Sequence, residues 1–268
     1  MIPDKAGSDR AAGHRPFTLV NPDGPAAIVI FCDHASNVVP PELRHLGLGE
    51  AERQRHIAWD IGAAEIAVLL ARRFDAPAVL CGTSRLVIDC NRYPEDPNAM
   101  PLVSDGTGIP GNAELSPSRR AERVARYFDP YHAAVERIIE GKLAAGISPI
   151  VLSIHSMTPQ MGGARFRPWQ IALSSDRDRR LADPMLAALR RRKDVTVGDN
   201  EPYNLDPRED YSTPVHAIRR GLLHLQVEFR QDEVGTSAGV QHWARLFGDA
   251  LAETITAEPL VLAGGRGS

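Results

Sequence analysis

Four short polar clusters stand directly after apolar runs, and they hold the side chains able to do chemistry: Asp33-His34-Ala35-Ser36-Asn37, Ser84 to Arg92 (SRLVIDCNR), Ser153 to Pro159 (SIHSMTP) and Gln226 to Asp232 (QVEFRQD). His34 and His155 each end an apolar run. Either alone reads as a strand-end hydrogen bonder. Two of them with acids nearby point to a site, because neutral imidazoles suit zinc and two histidines plus one carboxylate leave a position for water. A metal held so lowers the pKa of its water to about 7 and polarises a carbonyl oxygen. Asp60 is a further acid, set beside Trp59 in an otherwise apolar segment. A buried carboxylate is costly unless paired or metal-bound. Glu228 lies between Val227 and Phe229. Strand alternation puts it on the opposite face from both, where it can serve as a general base toward the water. A salt bridge to Arg230 is the plainer alternative. Arg85 and Arg92 offer planar, bidentate partners for a substrate carboxylate, with Asp89 set to pair internally with one of them. His132, beside Pro130, reads as a packing residue.

These residues need elements to position them. Residues 26–31 and 150–154 are short, apolar and β-branched, as buried strands are. Residues 78–81, 86–90, 170–173, 195–197 and 222–229 read as further strands. Ile57, Ile61, Ala64, Val68 and Ala71 recur at helical spacing, so an amphipathic helix is expected over 51–74, with Asp60 on it. Ser116-Pro117 is a helix start, N-cap followed by Pro at the first position, and Pro130 should kink or interrupt that helix. Helices are also expected at 178–192, 213–220 and 238–255. The Pro- and Gly-rich stretch 93–117 and the loop 156–169 are long enough to be functional, and are placed to close over a site. Strands alternating with helices predict one α/β domain with a central mixed β-sheet flanked by helices. In such sheets, sites gather beyond the carboxyl ends of the strands. The domain is expected over 17–262, between loose tails at 1–16 and 263–268.

The 268 residues carry a net charge of −3, with 43% hydrophobic and 24% charged residues, the balance of an ordinary globular chain. A nucleic-acid or anionic-membrane binder is usually basic, so neither partner is expected. The three cysteines, Cys32, Cys81 and Cys90, form no C-x-x-C pair and sit in apolar surroundings. They predict buried thiols, no disulfide framework and a cytoplasmic location. No signal-peptide pattern opens the chain and no apolar run is long enough to span a bilayer. Phosphate-loop, G-x-S-x-G and H-E-x-x-H motifs are absent, which leaves nucleotide use, a serine-centred triad and a helix-borne zinc protease without support.

The ordered set DHASN, WDIGA, SRLVIDCNR, DPYH, IHSMTP, NEPY and VEFRQD, running from about Asp33 to Asp232, resembles the N-formylglutamate amidohydrolase family. The resemblance implies a zinc-exopeptidase-like fold, similar to zinc carboxypeptidases and aspartoacylases. It also implies metal-dependent hydrolysis of the amide of an N-acyl amino acid. For N-formylglutamate the products are formate and glutamate, a step of histidine breakdown. Carried over, His34 and His155 match metal ligands and Glu228 looks like the general base. Asn91-Arg92 resembles a pair that holds a substrate carboxylate, and Arg85 resembles the arginine that polarises the scissile carbonyl. Carboxypeptidase-like sites have His-x-x-Glu, whereas this chain has His34-x-x-Asn37. Asp60 is the expected third ligand of one divalent metal, zinc, with Asn37 and Asp33 as alternatives. A second substrate carboxylate needs a second cation, for which Arg165 or Arg167 is the expected source. The departure at Asn37 keeps two other readings open: an aspartoacylase- or carboxypeptidase-like hydrolase of another small acyl amino acid or peptide, and a degenerate, metal-free carboxylate-binding protein.

Overall fold

The computed structural model describes residues 14–257. In chain order the strands are β1 (Phe17–Val20), β2 (Ile28–Cys32), β3 (Ala78–Cys81), a small hairpin β4 (Val103–Ser104) and β5 (Thr107–Gly108), β6 (Ile150–Met157), β7 (Ile171–Ser174), β8 (Val197–Asp199) and β9 (His224–Arg230). The helices are α1 (Glu50–Arg53), α2 (Ala63–Phe74), α3 (Pro117–Arg123), α4 (Asp129–Ala144), α5 (Ala182–Arg190), α6 (Ser212–His216), α7 (Gln231–Val234) and α8 (Ser237–Ala257).

Seven strands make one sheet in the order β1-β3-β2-β6-β9-β7-β8. The central four, β3, β2, β6 and β9, are parallel. β1 and β7 run antiparallel to β3 and β9, and β8 follows β7 in parallel. This is the expected single-domain α/β architecture with a mostly parallel mixed sheet. Buried parallel strands carry apolar side chains on both faces, and here each face has its own core. Ile150, Leu152 and Ile154 of β6 join Leu225, Val227 and Phe229 of β9 against α2, α5 and α8. Val29, Phe31 and Val151 face the other way, against Tyr131, Val135 and Ile139 of α4. On that second face the pattern changes toward the carboxyl ends of the strands. Ser153 and His155 of β6 pair in register with Gln226 and Glu228 of β9. The apolar face turns polar where the strands open to solvent.

Three expectations are corrected. The helix expected over 51–74 is broken in two, α1 ending at Arg53 and α2 beginning at Ala63, and the buried face of α2 is Ala63, Ile66, Ala67, Leu70 and Ala71, of which only Ala71 was expected. Asp60 therefore lies in a turn. Its backbone N–H donates to the carbonyl of His34 at 2.9 Å. Gly62 then takes a φ of 82°, where a Cβ would meet the Val234 carbonyl oxygen at 2.5 Å, so glycine is required for the chain to leave the turn into α2. Second, residues 86–90 form turns, not a strand. Leu86, Val87 and Ile88 are fully buried, but side chains satisfy their backbone: Asn112 Nδ2 donates to the Leu86 carbonyl at 2.9 Å and Arg123 Nη1 to that of Val87 at 2.9 Å. Third, β1 was not expected, and residues 14–16 are anchored rather than loose. Gly82 donates to the Pro16 carbonyl at 2.8 Å and His14 Nε2 lies 2.8 Å from Thr83 Oγ1. The rest of the expected tails, 1–13 and 263–268, lies outside the described residues. Ser116 caps α3 as expected, and the interruption before Pro130 is a π-helical segment, Val124–Phe128. Among the described residues no helix is long and apolar enough to cross a membrane.

Candidate active site

The polar end of the second face opens into a cleft of about 530 Å³. His34 enters it directly after β2, His155 from β6, Glu228 from β9, and Asp60 and Arg85 from the two turns just described. His34 Nδ1 lies 3.3 Å and His155 Nδ1 2.9 Å from the same oxygen, Asp60 Oδ2. Donor atoms of these three buried residues all fall within 4.8 Å of one another, a spacing that suits a metal ion.

The far nitrogen of each ring is held from behind. His34 Nε2 is 2.7 Å from Asp89 Oδ1. His155 Nε2 is 2.9 Å from Ser153 Oγ and 3.4 Å from Asp33 Oδ2. Carboxylates behind metal-ligating histidines fix ring orientation and tautomer, so both rings present Nδ1 to Asp60. Asp33 is itself fixed, its Oδ1 accepting from Tyr131 Oη at 2.8 Å and Ser212 Oγ at 2.6 Å. Its Oδ2 is buried with no hydrogen bond of its own. The donor set and its support fit a divalent metal.

The electrostatics agree with this geometry. Burial and Arg85 push the His34 pKa down, yet Asp89 and Asp60 overcome both and hold it above its ordinary value. Burial also opposes His155, but the neighbouring carboxylates of Asp33 and Asp60 raise it well above. Against the same burial, the two histidines drive Asp60 far below the usual carboxylate range, and Arg85 with His34 does so for Asp89. Glu228 behaves oppositely: burial and the nearby Asp60 outweigh the surrounding cations and push it up to about 7.

Arg85 Nη2 donates to Asp89 Oδ2 at 2.6 Å, and its Nη1 lies 3.3 Å from His34 Nδ1 and 3.5 Å from Asp60 Oδ1. Arg92 reaches the cleft and is held by Asp210 at 2.8 Å. Asn91 also lines the cleft, but its side chain is spent on the chain itself. Its Nδ2 donates to Asp210 Oδ1 at 3.0 Å, and its Oδ1 accepts the Tyr211 and Ser212 backbone N–H groups at 3.2 and 3.0 Å. Asn91 thus braces Arg92's partner rather than presenting its amide to a ligand.

The alternatives for ligand and cation separate cleanly. Asn37 turns away, donating to the Arg53 carbonyl and Gln54 Oε1, each at 3.2 Å. Asp33 sits behind His155. Arg165 is exposed and does not line the cleft. Arg167 is turned onto Tyr203, donating to its hydroxyl at 2.8 Å with its guanidinium 4.9 Å from the ring. Both expected loops contribute to the cleft, and Asp105 of the β4–β5 hairpin joins them by accepting from the Gly162 N–H at 2.9 Å. Sequence reasoning missed Asp89 and Asp33 as the groups behind the histidines, and Gln226 and Tyr203 as cleft residues. Asp89 had a signal: it follows Arg85 by four residues and precedes Asn91, so a turn would aim both Arg85 and Asp89 at one point.

Residues 26–234 match a family model described as N-formylglutamate amidohydrolase. A crystallised gene product of Agrobacterium tumefaciens is 35% identical, with a TM-score of 0.85 over 90% of this chain and 95% of that one. A crystallised N-formylglutamate amidohydrolase from Ralstonia eutropha shares the fold at 23% identity, with a TM-score of 0.62 over 90% of this chain and 97% of that one. No curated protein matches the chain.

Proposed function

The chain belongs to the N-formylglutamate amidohydrolase family, and on that premise we propose that it is a metal-dependent hydrolase of the amide in small N-acyl amino acids. The carrying observation is the convergence of His34 Nδ1 and His155 Nδ1 on Asp60 Oδ2, next to a buried Glu228. His34, Asp60 and His155 would hold one divalent ion, zinc by their nitrogen and oxygen donors. When bound, that ion supplies a Lewis acid and a water acidified toward neutrality.

The chain's own residues do the rest. Glu228, at about 7, is matched to proton transfer near neutral pH. It takes the proton of the attacking water and returns it to the leaving nitrogen. Arg85, with its Nη1 at the mouth of the triad, stabilises the oxyanion that develops on the carbonyl oxygen. Arg92 holds the substrate's α-carboxylate, with Asp210 and Asn91 fixing its direction. Asp89 and Asp33 keep the two imidazoles aimed. The placement of both histidines at the carboxyl ends of adjacent parallel strands supports the zinc-exopeptidase-like reading of the fold. The three free, buried cysteines support a reducing, cytoplasmic setting. A role in histidine breakdown goes with N-formylglutamate as substrate.

The test is metal analysis of the purified protein, followed by release of free amine from a panel of N-formyl and N-acetyl amino acids with zinc present. One metal per chain and turnover of at least one N-acyl amino acid, abolished by chelation and restored by zinc, is the expected result. Turnover that survives complete metal removal would sink the metal-dependent reading. No turnover of any panel member would sink the hydrolase.

A further inference from the structure

Arg85 and Arg92 are the only lysines or arginines among the described residues lining the cleft, and each already faces an acid, Asp89 and Asp210. In the proposed reaction Arg85 serves the carbonyl oxygen and Arg92 the α-carboxylate. A second, side-chain carboxylate therefore needs a cation from behind the lining. The wall that carries Tyr203 has one. Tyr203 lines the cleft with Pro202 and Asn204 and is 41% exposed. Behind it, Arg167 Nη2 donates to the Tyr203 hydroxyl at 2.8 Å and Arg167 Nη1 to the Thr158 carbonyl at 3.1 Å. Among the described residues Arg167 forms no ion pair, so its charge has a phenol and a carbonyl for partners and no carboxylate.

Both residues are anchored. The Arg167 N–H donates to the Pro159 carbonyl at 2.8 Å, and Arg230 Nη1 donates to the Arg167 carbonyl at 3.2 Å. The Tyr203 carbonyl accepts from Ser174 Oγ at 2.7 Å, and Ser174, at the end of β7, stands in register with Gln226 of β9. Tyr203 is thereby pinned beside the strand that carries Glu228. A phenol has one proton and two lone pairs. Arg167 occupies a lone pair, so the proton points elsewhere, and no described residue accepts it. Burial and Glu228 raise the Tyr203 pKa above its ordinary value, against Arg167 and Arg85, so the hydroxyl keeps that proton. That Glu228 and Arg85 both act on this oxygen agrees with a hydroxyl that faces the site. A hydroxyl that accepts from a guanidinium is polarised into a stronger donor.

We propose that Tyr203, backed by the charge of Arg167, is the specificity-determining residue that receives the substrate's side-chain carboxylate. The phenol O–H donates to the carboxylate, and Arg167 behind it supplies the counter-charge and holds the phenol in place. A carboxylate satisfies both members of the pair. A primary amide offers the hydroxyl an acceptor but leaves Arg167 without an anion. The plainer account of the pair is stacking, since the guanidinium lies 4.9 Å from the ring. Stacking needs the ring and not the hydroxyl, so Tyr203→Phe separates the two. The inference rests on the hydrolase reading and names the residues that read its substrate's side chain.

The experiment measures kcat and KM of the zinc-loaded protein on N-formyl-L-glutamate and its near-isosteric neutral counterpart N-formyl-L-glutamine, for wild type, Tyr203→Phe and Arg167→Gln. A thermal-shift titration of the same proteins with the same compounds runs in parallel. Wild type is expected to favour the glutamate compound by about tenfold or more in kcat/KM, the share of one hydrogen bond to a charged group. Each variant should lose most of that preference, through a rise in KM for the glutamate compound relative to the glutamine compound. No preference in wild type, a preference unchanged in either variant, or a loss that falls on kcat equally for both compounds overturns the proposal while leaving the hydrolase intact. If neither compound is turned over, the hydrolase reading is what fails, and the melting shifts decide the specificity. A larger shift with the glutamate compound that Tyr203→Phe abolishes upholds it, and equal or absent shifts overturn it. The melting temperatures of the unliganded variants report whether they fold.

Discussion

Two pairs of buried histidines lie on the same face of the sheet, and they have opposite chemistry. The rings of His34 and His155 are 5.0 Å apart, and those of His132 and His216 are 5.2 Å apart and stacked at 22°. All four are at most 6% exposed. The first pair touches three carboxylates, Asp60, Asp89 and Asp33, and its pKa values are raised against the pull of burial. Among the described residues the second pair touches no carboxylate. His132 Nε2 donates to the Cys90 carbonyl at 2.9 Å, which leaves its Nδ1 to accept from His216 Nε2 at 2.9 Å. His216 Nδ1 is then a bare, buried lone pair. Burial lowers these two to about 4 and about 3, with His132 adding to the effect on His216. Burial is common to both pairs, so what separates a site from a packing contact is which groups share the burial.

The largest expected effect follows from breaking the first pair alone. His155→Ala should lose bound metal, read by metal analysis, and lower kcat/KM by on the order of a thousandfold or more, several kcal/mol of transition-state stabilisation. His132→Ala should keep its metal and the activity of its folded fraction while lowering the melting temperature. If His132→Ala loses metal as His155→Ala does, the distinction between the pairs is wrong. Next comes Glu228→Gln, which keeps the triad untouched. It should retain metal and lower kcat by about 10²–10⁴-fold with little change in KM, the usual share of a general base. Wild-type kcat in that variant would remove Glu228 from the mechanism.

Asp89→Asn sharpens the comparison further, because it touches the first pair only through the back of His34. A drop of about 10–100-fold in metal affinity or activity is expected, measured by competition with a chromophoric chelator. An unchanged affinity would mean that the carboxylate behind His34 serves folding and not the metal.

Much of this was legible in the residue order. His34, His155 and Glu228 were readable because each follows a short apolar, β-branched run, and parallel strands send such ends to one place. The fold class was readable from the same alternation. The turns at 54–62 and 86–92 were not. Their apolar residues, Ile57 and Leu86 to Ile88, have the burial of helix and strand positions, and periodicity registers burial. The groups that turn these segments out of regular structure are distant: the His34 carbonyl, Asn112 and Arg123. Residue order therefore places Asp60 in the site with the wrong element beneath it, and gives Asp89 to an arginine although it also serves His34. Arg165 is a candidate on charge alone, and charge says nothing of direction.

The smallest effect is on stability and separates the pairs by sign. His132 and His216 are neutral in the folded protein well below the ordinary histidine pKa of 6.5, whereas the unfolded chain protonates them near that value. The unfolded state therefore binds more protons, and stability falls as pH drops through 6.5. From pH 7 to pH 5 each such histidine costs about 2 kcal/mol. A proton on His216 would add an N–H at Nδ1 with no buried acceptor, which is why the folded state refuses it. His216→Gln removes one of the two titrations. The urea-unfolding free energy of this variant should fall between pH 7 and pH 5 by about 2 kcal/mol less than that of wild type. The raised pKa values of His34 and His155 act in the other direction: the stability they contribute is present below 6.5 and lost as pH rises through their folded values. A wild-type acid slope retained in His216→Gln would show that the second pair is charged when folded, and the contrast with the first pair would collapse.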